Sequence, residues 1–244
     1  MTAIDDFWQE NLERNQSDKR YWRRRDNVLR CLKELSVGDA RILNIGCGIG
    51  AASHFIEQEF HNAAPVSLDM SSNSLIVGKN YYNLRYPVMA NALYLPFNNE
   101  TFEIVLMMEV IEHIREQDRL LSEATRVLKK GGNLIITTSP IKSDILYSFT
   151  YWIKRKELFG FSVRRASVEH VAEQHPSELK CNLEKHGLKV RKMKYWNGLH
   201  LISIPPLMKI PLLSSLIVGV DDKLGVLNRL CTDIVCVAQK GLYK

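Results

Sequence analysis

Apolar and polar positions along this chain follow two periods in turn. From Asp18 to Leu35, apolar residues recur at Tyr21, Trp22, Val28, Leu29 and Leu32, with Arg20, Arg23, Arg24 and Arg25 between them. That spacing predicts an amphipathic helix within an N-terminal helical cap over residues 1–38. After the turn at Gly38-Asp39 the pattern changes to short apolar runs separated by amphipathic stretches. Strands are predicted at Arg41–Ile45, Val66–Leu68, Tyr86–Met89, Phe102–Met107 and Asn133–Thr138. Helices are predicted at Ala51–Phe60, Ser71–Tyr82 and Arg115–Leu128, the last ended by basic residues and Gly131-Gly132. Pro176–His186, stopped by Gly187, is a further helix, and Leu188–Tyr195 and Thr232–Ala238 are the last strands.

Strands that alternate with helices imply an α/β fold. The expectation is a Rossmann-like, doubly wound, mostly parallel seven-stranded sheet with helices on both faces and an antiparallel last strand. The main domain covers residues 39–244. Two stretches break its rhythm. One is an insertion at about 141–168, where Tyr151, Trp152, Phe159 and Phe161 interleave with Lys154, Arg155, Lys156, Arg164 and Arg165. The other is an apolar, proline-containing segment at about 199–220.

Composition narrows the class only a little. The 244 residues suit one large domain, and 45% apolar with 25% charged content is ordinary for a globular protein. A net charge of +6 is compatible with nucleic acid, an anionic membrane surface or neither, so the placement of the charges matters more than their sum. Five cysteines without a C-x-x-C pair fit reduced thiols and a cytoplasmic location. The N-terminal residues lack an apolar signal core, and no run approaches the roughly 18 apolar residues of a spanning helix.

The chemistry begins where the first strand ends, in Asn44-Ile45-Gly46-Cys47-Gly48-Ile49-Gly50. Glycines at alternate positions after a buried strand let backbone N–H groups approach a ligand closely. A simple tight turn would show the same glycines. In an open α/β sheet, ligands bind at the carboxyl ends of the strands. Three more such ends carry suggestive residues: Asp69-Met70, Asn91-Ala92 and Met107-Met108-Glu109. Asp69 could accept bonds from two ribose hydroxyls, or cap the following helix.

The G-x-G-x-G spacing, with these residues in this order, resembles the cofactor loop of class I S-adenosylmethionine-dependent methyltransferases. The segments Leu95–Val105 and Leu128–Leu134 resemble those leading into strands four and five of that superfamily. The resemblance covers roughly residues 40–140 and implies S-adenosyl-L-methionine as cofactor. It places Asn44, Gly46, Cys47, Gly48, Gly50, Asp69, Met70, Asn91, Ala92, Met107, Met108 and Glu109 around it. Many members carry an acid where this chain has Asn44, and often an Asp where it has Asn91.

The stretch Glu109-Val110-Ile111-Glu112-His113 resembles the corresponding segment of the ubiquinone-pathway O-methyltransferases, within the methyltransferase type 11 group. By that resemblance Glu109, Glu112 and His113 are candidate ligands of a divalent cation such as Mg. The other reading makes His113 a structural residue or a general base, with His170 as a second base. The implied activity is methylation of a small-molecule or lipid-linked acceptor, with O-methylation preferred. The rival classes are an RNA methyltransferase and a non-catalytic cofactor-binding scaffold. The aromatic and basic insertion suits a membrane surface, RNA, or a lid packed on the sheet. The apolar segment at 199–220 tilts this toward lipid and a peripheral membrane contact, and away from nucleic acid. No residue pattern assigns an oligomeric state.

Overall fold

The computed structural model describes residues 19–139, 171–172, 174–196 and 233–242. The insertion at 141–168, the apolar segment at 199–220, the first 18 residues of the cap and His170 all lie outside the described residues. Helix α1 is Lys19–Glu34. It is followed by β1 (Ile42–Ile45), α2 (Ala51–Glu59), β2 (Val66–Asp69), α3 (Ser72–Tyr82) and β3 (Tyr86–Met89). Then come β4 (Phe102–Met108), a 3-10 turn (Ile111–His113), α4 (Gln117–Val127) and β5 (Leu128–Thr138). The last elements are α5 (Pro176–Lys185), β6 (Leu188–Trp196) and β7 (Asp233–Lys240).

The seven strands form one sheet in the order β3-β2-β1-β4-β5-β7-β6. Strands β1 to β5 pair in parallel, and β7 lies antiparallel between β5 and β6. This is the expected doubly wound architecture. The apolar runs are buried on both faces, as parallel strands require. In β4, Val105 and Met107 join a core with Leu120, Leu121 and Ala124 of α4 and Leu179 and Leu183 of α5. The alternate residues Ile104 and Leu106 join a second core with Val28 and Leu32 of α1 and Phe55 and Ile56 of α2. Alternation at period two in one strand therefore sorts two helical layers.

Local signals place most boundaries. Ser71 caps α3, its Oγ accepting from Ser74 N at 3.2 Å. Pro176 opens α5, where Glu178 accepts from His175 N at 2.9 Å. One signal works differently from its expectation. Helix α4 ends at Val127, before the glycines, and Leu128 already starts β5. Gly131 and Gly132 lie inside that strand, where the pairing with β4 shifts register between Phe102 and Ile104. A Cβ on Gly132 would stand 2.8 Å from the Glu103 carbonyl oxygen. The pair thus permits an irregular strand to lie close to its neighbour and does not cap the helix.

The strand order reverses at β1, whose neighbours β2 and β4 lead the chain in opposite directions across the sheet. A crevice opens outside the carboxyl ends of the strands at such a point. Among the described residues, no helix is long and apolar enough to cross a membrane. Cys31, Cys47, Cys181 and Cys236 carry free thiols.

Candidate active site

Two cavities lie along the carboxyl ends of β1, β2 and β4, and they share Gly46 and Glu109. The larger, about 470 Å³, is lined on one side by Asp69, Met70, Asn91 and Ala92 and on the other by Val110 and His113. The smaller, about 270 Å³, is lined by Asn44, Cys47, Gly48 and Met108, and by Tyr21 and Arg24 of α1.

The glycine loop forms their common wall. Cys47 N donates to Leu68 O at 2.9 Å, which ties the loop to β2. Gly46 has φ +65°, and a Cβ there would lie 2.6 Å from Val110 Cγ2, so only glycine fits. Gly48, at φ +54°, would direct a Cβ into open space with no atom within 4 Å. Its N–H donates to Asp69 Oδ2 at 2.8 Å, while Ser71 N donates to Asp69 Oδ1 at 2.9 Å. Asp69 is not the cap of α3, which is Ser71. Asp69 instead steadies the loop and the start of α3, and it faces the larger cavity with lone pairs to spare.

The smaller cavity has a charged floor. The Arg24 guanidinium donates to Asp233 Oδ1 through Nε at 3.1 Å and Nη2 at 2.6 Å, and it pairs with Glu109 Oε2 at 2.8 Å. Burial works against the Arg24 charge, but Glu109 and Asp233 outweigh it and hold the guanidinium above its usual pKa. Glu109 has a left-handed backbone, φ +55°, which is uncommon for a side chain larger than glycine. Its carboxylate also accepts from Thr137 Oγ1 at 3.1 Å and Ser139 Oγ at 3.2 Å.

Glu112 lies behind this floor, fully buried. Its Oε2 accepts from Thr138 Oγ1 at 2.9 Å, and its Oε1 has no partner to accept from among the described residues. Burial, then the charge of Glu109, push its pKa up to about 8. A protonated Glu112 carboxyl donates toward the Glu109 carboxylate, which gives the acid a partner it lacks when ionised. The Glu112 backbone carbonyl accepts from Val171 N and Ala172 N, both at 3.0 Å.

This arrangement corrects the cation expectation. Among the described residues, no three His, Cys, Asp or Glu side chains group in a way that could hold a metal ion. Glu109 faces Arg24, Glu112 is turned into the protein toward Thr138, and His113 is exposed on the larger cavity. The 3-10 turn that carries Glu112 and His113 points these neighbours in different directions. The motif is present, but its side chains do not converge.

The remaining expected residues divide into two groups. Asn44, Gly46, Cys47, Gly48, Asp69, Met70, Asn91, Ala92, Met108 and Glu109 line one or both cavities. Met107 and Gly50 line neither. Met107 is fully buried in the core beside α4, one pleat away from the cleft. Gly50 begins α2 with φ +79°, packed against Leu84. The Cys47 thiol is pushed up to about 12 by burial and by the charge of Asp69, which keeps it from acting as a nucleophile. Asn91 Oδ1 accepts from Leu93 N at 2.9 Å and shapes the loop that bears it. His175, exposed at the start of α5, lines neither cavity. Tyr21, Arg24 and Asp233 were missed. Arg24 is one of five arginines on one helix, and its partner Asp233 is 209 positions away.

Residues 43–136 match the model of a methyltransferase domain family. That match supports the class I S-adenosylmethionine-dependent methyltransferase superfamily for this stretch of the chain. This methyltransferase domain is similar to an uncharacterized protein of Methanocaldococcus jannaschii, 34% identical over 134 residues, which are 51% of this chain and 56% of that protein. It is also similar to a ubiquinone biosynthesis O-methyltransferase of Coxiella burnetii, 24% identical over 163 residues, covering 65% of this chain and 67% of the relative. The chain thus spans little more than half the length of the first of these relatives. Among solved structures, a protein of Galdieria sulphuraria provisionally assigned as a sarcosine dimethylglycine methyltransferase superposes with a TM-score of 0.65. That match covers 91% of this chain and 87% of the other at 16% identity, a likeness of fold.

Proposed function

We propose that the chain is an S-adenosylmethionine-dependent methyltransferase that methylates a hydroxyl of a small-molecule or lipid-linked acceptor. The observation that carries the reading is the pair of cavities sharing Gly46 and Glu109, one faced by Asp69 and the other by Arg24. A nucleoside with an amino-acid tail needs this division. The residues fit such a cofactor. The open side of Gly48 leaves room for close backbone approach, and Asp69 offers carboxylate lone pairs to ribose hydroxyls. The exposed Met70 and Ala92 supply apolar surface for a base, and Asn91 keeps a second lone pair on its carbonyl. Tyr21 and Arg24 face the end where an amino-acid tail would lie, and Arg24 complements a carboxylate.

When bound, S-adenosylmethionine supplies a methyl group on a sulfonium centre, which is open to in-line displacement. The protein's task is then to place the acceptor oxygen and receive its proton. His113, exposed on the larger cavity, is the candidate to take that proton at a ring nitrogen. The name of the Coxiella relative supports oxygen as the acceptor atom. His170, the second base expected from sequence, is kept as a candidate.

The test combines binding and turnover. Calorimetry with S-adenosylmethionine and S-adenosylhomocysteine should give saturable binding of both. Methyl transfer to phenolic and lipid-linked hydroxyls should then proceed undiminished in the presence of a chelator. His113→Ala should lower kcat by roughly 100-fold, the usual contribution of a general base, with cofactor affinity unchanged. Absence of binding to either form of the cofactor would sink the reading.

A further inference from the structure

Charge is distributed unevenly over this molecule. Helix α1 and strand β6 together carry 11 Lys and Arg and two acids, a net +9, whereas the whole chain carries +6. The two elements lie side by side. Lys192 Nζ donates to both Glu34 carboxylate oxygens, at 2.7 and 2.6 Å, and Lys194 Nζ donates to Asn27 Oδ1 at 3.3 Å. We propose that the face formed by α1 and β6 is a docking surface for an anionic lipid bilayer, which brings the neighbouring cleft to its acceptor. The link to the acceptor rests on the lipid-linked reading above.

A bulge builds this face. The pairing of β6 with β7 shifts register between Val190 and Lys192. Lys189 opposes Gln239, while Lys192 and Lys194 oppose Val237 and Val235, which share a core with Val28 and Leu32 of α1. Opposed residues in a sheet share a face, so Lys189, Lys192 and Lys194 project on the α1 side. The extra residue, Arg191, turns to the same side, where its Nε and Nη2 donate to Gln239 Oε1 at 3.0 and 2.6 Å. Regular alternation would have sent half of these cations to the opposite face. On α1, Arg23 and Arg30 stand three or four residues from Asn27 and Glu34, and so share the flank that meets β6. Arg30, Lys189 and Arg191 are exposed. Of the two α1 acids, Glu34 is engaged by Lys192 and Asp26 by Arg25. Cations on an edge strand discourage pairing with another chain, but that does not account for those on α1.

The face suits lipid better than nucleic acid. A bilayer needs only cations spread over one surface, whereas RNA binding also draws on aromatic faces for stacking. The Trp22 ring on α1 is already covered by the Arg25 guanidinium, 4.3 Å from its centre, and Tyr21 packs edge-on against it. The sequence that joins β6 to β7 is apolar over 199–220, with Lys209 its one Lys, Arg, Asp or Glu, a composition that favours lipid over a polyanion. Helix α1 also leads from this face to the cleft, because Tyr21 and Arg24 line the smaller cavity.

Cosedimentation of the full chain with vesicles tests the proposal. Wild type should bind phosphatidylcholine vesicles that contain about one-third phosphatidylserine, bind phosphatidylcholine alone far more weakly, and be released by about 0.5 M salt. Arg30→Gln, Lys189→Gln and Arg191→Gln combined should weaken binding by roughly 100-fold, about 5-fold for each cation removed near an anionic surface. If that variant does not fold, Arg30→Gln with Lys189→Gln, which keeps the bulge residue, should still cost roughly 20-fold. The same loss of three charges at Lys79, Lys130 and Lys180, exposed residues outside α1 and β6, should leave binding nearly unchanged. Equal binding to phosphatidylcholine alone, no binding to either vesicle, a face variant that binds like wild type, or an equal loss in the control variant overturns the inference. Single-stranded RNA bound more tightly than the vesicles, and lost in the face variant, assigns the face to nucleic acid and also overturns it. The face variant should bind S-adenosylhomocysteine like wild type. A wild type that docks on vesicles yet binds no S-adenosylhomocysteine, or methylates no lipid-linked hydroxyl, removes the reading above and leaves the docking surface standing.

Discussion

The two ends of the sheet present cavities of opposite character. At the amino ends of the parallel strands lies a groove of about 740 Å³, larger than either cavity of the cleft, lined by residues that include Thr125, Arg126, Lys130, His186 and Lys240. Its principal cations are already engaged in structure. Arg126 makes two bonds of 2.8 Å to the Glu123 carboxylate and also donates to the carbonyls of Leu95 and Phe97. Lys240 donates to the carbonyls of Thr125 and Leu128. The cleft at the carboxyl ends is smaller. Left-handed backbone occurs in both places, at Gly46, Gly48 and Glu109 in the cleft and at Glu100 and Gly187 in the groove, but the cleft is backed by a buried acid, Glu112, whose pKa is pushed up by burial and by Glu109. Unusual protonation marks a site better than volume does, because a folded chain retains it only where surrounding contacts enforce it.

The sharpest way to break this comparison is through Glu112. Its folded-state pKa, about 8, lies above the ordinary value of 4.5. Between those values the folded protein holds a proton that the unfolded chain releases. Its stabilising contribution is therefore complete below pH 4.5, falls as pH rises and is lost by about pH 8. Urea unfolding should show about 3 kcal/mol lost between pH 5.5 and 8 from this group, at roughly 1.4 kcal/mol per pH unit. Glu112→Gln should flatten that part of the profile. An unchanged slope would mean that the acid is not held neutral.

Next in size is Asp69→Ala, which removes both a candidate ribose acceptor and the anchor of Gly48. It should weaken S-adenosylhomocysteine binding by roughly 100-fold, as expected for losing more than one charge-assisted hydrogen bond, measured by calorimetry. Arg126→Met in the opposite groove should leave that affinity unchanged and cost about 2 kcal/mol of stability, because it leaves the Glu123 carboxylate without its cation. If the groove variant impaired ligand binding and the cleft variant impaired only stability, the assignment of roles to the two ends would be reversed.

Much of this molecule was legible from local pattern. The burial of β4 on both faces is visible in its apolar run from Ile104 to Met108, and the capping role of Ser71 in its place before a helix. The order of Gly46, Gly48, Asp69 and Asn91 along successive strand ends already locates the cleft. Two local signals misled. Gly131-Gly132 has the composition of a helix stop, but the bulged pairing of β5 with β4 governs it. Glu109, Glu112 and His113 have the spacing of a ligand set, but a left-handed turn followed by a 3-10 turn disperses their side chains.

The sequence by itself determined the elements, their parallel arrangement and the loop where a nucleoside-like ligand belongs. Each of these depends on hydrophobic period or turn chemistry within a few neighbouring residues. Only the tertiary structure decided the charges. It selected Arg24 from the five arginines of α1 by placing that helix beside the start of β7, where Asp233 lies 209 residues further along the chain. It committed Asn44 to Ser53 and brought Glu112 behind Glu109. Ion pairing and proton affinity depend on distance and on exclusion of water, and neither exists until remote segments have packed together.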